Sequence, residues 1–379
     1  MLRIGILMPR STLFPSLGLD ILNGLKQNLK EQQLFDEVKL LTDNIGFGIE
    51  EPEIYSKAEK MLLQEDADIV IVCADVRIAE MLQPLFTASN KVLLVVHFGA
   101  NLPDSWQAAP TTITHSLNFC LHTRLTGRLA AQEASKQVIN TISYYDGGYH
   151  QCFCLLSSNQ EHGGIPVFNH ITHLKLDEFT LQPMIDFLEQ QKDDVHTLLC
   201  LFSGEQAERF YREIQPLQQQ YSLNLYVAPM MLEGSLKKTL GEGFEIKNVT
   251  GYVPWHASLE NSHNQAFKKY TANYFSLLGW DAGLIIAALL PQINNGETDA
   301  AALVKSLSGK TFSSPRGWLK MDPLTQYTYG PSYLASCNGH FEVTLSPEIE
   351  NIEEEWSAFT KIPMPAGESS GWRNTYLCI

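Results

Sequence analysis

The chain contains no run of eighteen or more apolar residues, so nothing in it reads as a membrane-spanning helix. It shows no leader pattern either. MLRIGILMPR enters an apolar strand pattern at once, without a basic segment followed by a long apolar core. Basic charge is in deficit, with 27 Lys and Arg against 42 Asp and Glu and a net charge of −15. That argues against a nucleic-acid partner, which calls for a basic surface, and against adhesion to anionic membranes. The seven cysteines (73, 120, 152, 154, 200, 337 and 378) form no disulfide-scaffold spacing, and they read as buried, reduced thiols.

Cofactor and metal signatures are also missing. SLSGKT (306–311) resembles a phosphate loop, but Val304 stands where the loop needs its first glycine. GFG (46–48) has no third glycine, so a dinucleotide fingerprint fails. Cys152-Phe-Cys154 and His170-x-x-His173 are fragments that complete no metal site, and the two histidines point to opposite faces of a strand. The expectation is no cofactor, no metal and no catalytic residues.

What is present is alternation. ADIVIVCA (67–74) and NKVLLVVHFGA (90–100) are each long enough for one fully buried strand, and helix-length VRIAEMLQPLFTAS (76–89) separates them. Strands apolar on both faces and linked by helices predict a parallel sheet covered on both sides. LRIGILMP (2–9), a helix over 17–32, DEVKLLTD (36–43) and a helix over 51–66 complete a first α/β half. After Ala100 a loop is expected over 101–114, then a long helix over 117–137.

A second alternation begins at 139–145. It continues with a helix over 149–160 and strands at 167–176, 195–203 and 223–231, separated by helices over 181–192 and 205–220. TGYVPW (250–255) reads as a strand returning to the first half, with helices over 263–275 and 280–293 after it. The tail turns acidic at 352–359 and Pro-rich at 361–368. A length of 379 residues fits two domains. Two α/β lobes with several crossings predict a hinged body with a cleft that closes on a ligand.

Ligands in such sheets bind at the carboxyl ends of the strands. The candidates there are Arg10 and Ser11, then Cys73, Ala74, Asp75 and Val76, then Phe98, Gly99 and Ala100. In the second half they are Asp146 and Tyr149, then Phe202 and Ser203. Helices starting near Val76 and Ala100 would aim backbone N–H groups at anionic or carbonyl oxygens. Asp75 or Arg10 would fix a charged or hydroxyl group, and Tyr149, Phe202, Trp255 and Trp280 would supply an apolar wall. The chemistry suits binding better than catalysis. An enzyme on a similar frame, using Cys73, Asp75 or Tyr149, and a scaffold using the acidic tail are the alternatives.

IGILMP…GLDILNGLKQNL, DADIVIVCADVRIAEMLQPLF, SYYDGGYHQCF (143–153), GYVPWHASLENSHNQAFKKYTANY and FSSPRGWLKMDPLTQYTYGPSYL (312–334) together resemble type I periplasmic binding proteins. The similarity is to the leucine/isoleucine/valine-binding-like solute receptors of ABC transporters. It implies two Rossmann-like lobes with parallel sheets and three crossovers: residues 1–118 plus 252–330, and 119–251 plus 331–379. It implies a non-enzymatic receptor that grips a ligand carboxylate with Cys73 to Val76, with Phe98 to Ala100 alongside and Tyr149, Phe202 and Trp280 lining the pocket. The chain departs from amino-acid-binding members by carrying Cys-Ala-Asp-Val-Arg after the third strand, where they place hydroxyl residues. The ligand class therefore spans amino acids, amides and other carboxylate or aromatic metabolites. The implied partner is an ABC permease, or a regulator protein if the chain is a cytoplasmic sensor. The implied compartment is the periplasm if a leader has been removed, and the cytoplasm if Met1 is the native start.

Overall fold

The computed structural model describes residues 1–363 apart from 108, 134, 145–147, 174 and 192–194. The chain opens with β1 (Leu2–Met8), α1 (Leu17–Glu31), β2 (Val38–Asn44), α2 (Glu51–Leu63), β3 (Ile69–Cys73), α3 (Val76–Ser89), β4 (Val92–His97) and β5 (Thr112–Ser116). It continues through α4 (Phe119–Ala130), β6 (Gln137–Ser143), α5 (Gly148–Glu161), β7 (Ile165–Thr172), α6 (Gln182–Gln191), β8 (Thr197–Leu201), α7 (Gly204–Tyr221), β9 (Asn224–Val227), α8 (Ser235–Leu240) and β10 (Ile246–Val253). Then come α9 (Ser262–Phe267), α10 (Tyr274–Asn294), α11 (Ala300–Ser306), β11 (Thr311–Ser314), β12 (Gly317–Met321), β13 (Thr328–Tyr329), β14 (Tyr333–Gly339), β15 (Glu342–Glu348) and α12 (Ile352–Phe359). The chain folds as two α/β units. Among the described residues unit 1 holds Met1–Leu117 and Leu259–Pro331, and unit 2 holds Asn118–Ser258 and 332–363, so the described backbone passes between them three times.

In unit 1 five parallel strands run in the order β2-β1-β3-β4-β5. The order reverses at β1, which has β2 on one side and β3 on the other, so the crevice at the carboxyl ends of β1 and β3 is the natural ligand seat. Val70, Val72, Leu93 and Val95 face α2 and α3 and share a core with Ile54, Met61, Leu82 and Phe86. Alternate residues of the same strands face the other way, where α10 packs on β4 and β5.

Helix α10 is long and apolar enough to span a bilayer, contrary to expectation, yet 78% of its most apolar window is buried in the fold. It lies against α1 at backbone contact. A Cβ on Gly24 would fall 1.9 Å from the Ser276 carbonyl oxygen, and one on Gly279 would fall 1.9 Å from that of Ile21. Glycine at both positions lets the two helices approach.

Four local expectations are corrected in the structure. Residues 112–114, read as the end of a loop, fall in β5 (Thr112–Ser116). Partners for it come from far along the chain: the Thr114 backbone N–H donates to Gln326 O at 3.0 Å, and His115 Nδ1 lies 2.8 Å from Thr328 Oγ1. The long helix expected over 117–137 ends at Ala130, and β6 begins at Gln137. The helix expected over 263–275 stops at Phe267. Asn273 then caps a separate helix, its side chain accepting Ser276 N–H at 2.8 Å while Ser276 Oγ accepts Asn273 N–H at 3.0 Å. The strand at 250–255, read as returning to the first half, belongs to the second sheet.

That second sheet has seven strands in the order β15-β14-β10-β9-β8-β6-β7. β7, β6, β8, β9 and β10 are parallel, β14 pairs antiparallel with β10, and β15 pairs antiparallel with β14. Val253 pairs with Tyr333, and Tyr252 N–H donates to Thr126 Oγ1 at 2.9 Å, so residues 252–258, assigned above to lobe 1, stay with unit 2. The order here reverses at β6. α4 and α5 repeat the glycine device, since a Cβ on Gly127 would lie 2.1 Å from the Leu155 carbonyl oxygen.

Candidate functional site

In unit 1 the chain leaves β1 through Pro9, Arg10 and Ser11. Arg10 N–H donates to Gly46 O at 2.7 Å, and its guanidinium sits 4.6 Å above the Phe47 ring, a cation–π contact. Ser11 Oγ accepts the Phe14 N–H at 3.0 Å and so shapes the turn into α1. β3 ends at Cys73, and Ala74 and Asp75 lead into α3. Asp75 is the N-cap of that helix, its Oδ1 accepting the Val76 N–H at 2.8 Å, and Asn101 Nδ2 donates to Oδ2. Cys73 is buried, and burial first, then the Asp75 charge, push its thiol up to about 12.

The turn after β4 carries Phe98, Gly99 and Ala100, all buried. Gly99 N–H donates to His97 Nδ1 at 2.8 Å. Burial lowers the His97 ring to about 4, so it is neutral with its proton on Nε2. The helix expected to start near Ala100 is absent. Among the described residues no helix begins between β4 and β5, so of the turns after β3 and β4 it is the one after β3 that opens a helix, α3.

The aromatic wall of this edge comes from residues that sequence reasoning passed over. Phe275, in the first turn of α10, meets Phe98 edge-on at 5.5 Å and Phe14 at 5.0 Å. Trp106 meets Tyr327 at 4.8 Å, and His97 lies 6.1 Å from the same ring. Tyr327 feels acid on this edge: burial first, then Glu80 and Asp75, raise its phenol above the ordinary value of 10.0. The usable sequence signal was the Asn273–Ser276 capping box, which places Phe275 at a helix start. Trp280, offered as part of the wall, turns its indole edge-on to Phe267 of α9 at 5.3 Å and is buried.

Unit 2 has its own carboxyl edge. β6 ends at Ser143, and Tyr149 lies in the first turn of α5 with no side-chain description; Asp146 lies outside the described residues. β8 runs into Phe202 and Ser203. Ser203 is buried at the N-cap of α7 and makes no side-chain cap bond. Phe202 stacks on Phe210 at 4.5 Å and tilts against Phe179 at 6.1 Å, which makes it part of the unit 2 core. Trp255, just past β10, is also buried.

Two cavities within unit 2 lie away from that edge. One, of about 390 Å³, sits at the far end of α5 against α4 and α12, where Arg124 pairs with Glu161 and Arg128 with Glu355. The other, also about 390 Å³, is a notch between the end of α7 and residues 245–248. Among the described residues no group of three or more His, Cys, Asp or Glu stands ready for a metal ion. His170 is buried, with Nε2 2.9 Å from Thr180 O, while His173 is exposed beside Glu178. Of the six described cysteines, all but Cys152 are buried.

Comparison with solved structures finds this fold elsewhere. A solute binding protein of an ABC transporter from Rhodopseudomonas palustris BisB5, in complex with 3,4-dihydroxy benzoic acid, superposes with a TM-score of 0.72 at 16% identity, covering 92% of this chain and 96% of that one. A second R. palustris solute binding protein, in complex with benzoate, gives 0.71 at 20% identity, covering 92% and 97%. A leucine binding protein from Thermotoga maritima gives 0.67 at 12% identity, covering 93% and 100%. A sequence comparison with curated proteins finds no match. A family model described as "Periplasmic binding protein" matches residues 1–340, and the chain belongs to that family.

Proposed function

We propose that this chain is a receptor that binds one small solute without transforming it, seated on the carboxyl edge of the unit 1 sheet. The observation that carries the reading is the convergence on that edge of a buried carboxylate–amide pair, Asp75 and Asn101, with the Phe14–Phe275–Phe98 ring cluster. A few polar groups within an apolar lining is how small-molecule sites obtain both orientation and affinity. Arg10, Ser11, Ala74, Val76, Gly99 and Ala100 complete the proposed rim in unit 1, and Tyr149, Phe202, Ser203 and Trp255 remain its proposed counterparts in unit 2. Two of the similar solute binding proteins hold 3,4-dihydroxy benzoic acid and benzoate and a third is a leucine binding protein, which favours a solute of that size, aromatic or aliphatic.

Non-catalytic binding also fits the inert Cys73 thiol, since the thiolate is the nucleophile and this one is suppressed. An ABC permease is the proposed partner and the periplasm the proposed compartment, following the family's usual station. A thermal-shift screen of amino acids, amides, benzoates and aliphatic carboxylates tests the reading. A true ligand at a hundredfold its Kd adds about 2.7 kcal/mol of stability. A screen in which none of these classes raises the melting temperature defeats it.

A further inference from the structure

We propose that Asp75 makes the site select a solute group that donates a hydrogen bond (a hydroxyl, an amide N–H or an ammonium) and disfavour a bare carboxylate there. The inference rests on the reading of the unit 1 edge as the solute's seat. In a parallel sheet the helix N-terminus after a strand at the order reversal is a ready anion site, because its N–H groups are unsatisfied and the helix dipole is positive there. In this chain that place is held from within. Asp75 Oδ1 takes the Val76 N–H at 2.8 Å, so a full negative charge already answers the first donor and the dipole of α3.

The surroundings add more negative charge. Glu80, exposed on α3, has its carboxyl pKa raised by desolvation and by Asp104 against the opposing Arg77 charge, and Glu80 and Asp75 both push the Tyr327 phenol upward. Nearby cations are turned to other tasks. Arg77 Nε lies 3.3 Å from Glu51, and Arg10 is stacked on Phe47. A solute carboxylate entering here would meet like charge in a buried setting, whereas a donor would meet a carboxylate acceptor.

The test is titration calorimetry with probes that share one ring: benzoate, benzamide and benzyl alcohol. Asp75→Asn keeps a good N-cap, so α3 stays formed; Asp75→Ser is the second capping variant. The expected result is that the unaltered chain binds benzamide or benzyl alcohol at least tenfold more tightly than benzoate, and that both variants bring the ratio within threefold. Benzoate binding as well as benzamide, or a ratio unmoved in both variants, overturns the proposal. Phe275→Leu separates the two levels of argument. Probes that bind and weaken with Phe275→Leu, but ignore Asp75, sink the selectivity and leave the seat intact. Failure of all three probes to bind sinks the aromatic seat and the selectivity with it.

Discussion

Arg316 Nε lies 3.2 Å from Asp281 Oδ2, with both side chains essentially inaccessible at 1% and 0% exposure. Ser314 Oγ donates to the other carboxylate oxygen at 2.7 Å, and Arg316 Nη2 reaches Ser116 O at 3.5 Å. One ion pair thus fastens the β11–β12 hairpin to α10 and to the end of β5. Replacing Arg316 by Met leaves a buried, uncompensated carboxylate and should cost about 3–5 kcal/mol, whereas the double change Arg316→Met with Asp281→Leu should recover most of that loss. Urea melts of the three proteins check both outcomes.

The same carboxylate has a pH signature. Burial outweighs Arg316 and Ser314 and lifts Asp281 from 3.8 to about 6. A folded pKa above the unfolded one means that the native state takes up the proton more readily. This group's contribution to stability is therefore fully present below about pH 3.8 and is lost as pH rises through about 6. His115, with Nε2 3.8 Å from the same oxygen, has its ring pKa lowered well below the ordinary value, by burial first and then by Arg316 and His97. The melting-temperature difference between the unaltered chain and Asp281→Asn should shift in favour of the unaltered chain as pH falls from 7 to 4. A pH-independent difference would contradict it.

Gly279→Ala places a methyl group 1.9 Å from the Ile21 carbonyl oxygen, a backbone atom that cannot swing aside. The expected cost is about 1–3 kcal/mol or more as the helix pair is forced apart. Gly243→Ala, whose Cβ meets nothing within 4 Å, should fall between neutral and a gain of about 0.4–1 kcal/mol. Chemical denaturation of the two variants side by side checks the contrast.

Cys73 should resist alkylation. Its thiol is buried and pushed up to about 12, so almost no thiolate is present at pH 8. Intact-peptide mass spectrometry after iodoacetamide should find Cys73 unmodified in the native protein and modified in denaturant. Rapid native labelling would place the residue in a different environment.

Much of this architecture was legible in the chain because β1, β3 and β4 are apolar on both faces, a pattern only a covered parallel strand tolerates. β5 was not, since Thr112 and Thr114 look like loop until Gln326 and Thr328 arrive from two hundred residues on to partner the strand. The place of β10 was hidden for a similar reason, as its antiparallel partner β14 lies eighty residues later. On the candidate site, strand ends pointed to Asp75 and Phe98 because position in a parallel sheet is a local property. Phe275 escaped because its place on this edge depends on how α10 docks, which no local pattern shows.

The glycine-mediated contact of α1 with α10 sets the order of events on the ribosome. About 240 residues separate the two helices, which at roughly 5–20 residues per second is on the order of 10–50 s of synthesis. Throughout that interval the face of the first sheet destined for α10 has emerged without its cover. The nascent protein must therefore be guarded against sticking to its neighbours until the second passage of the chain has been made.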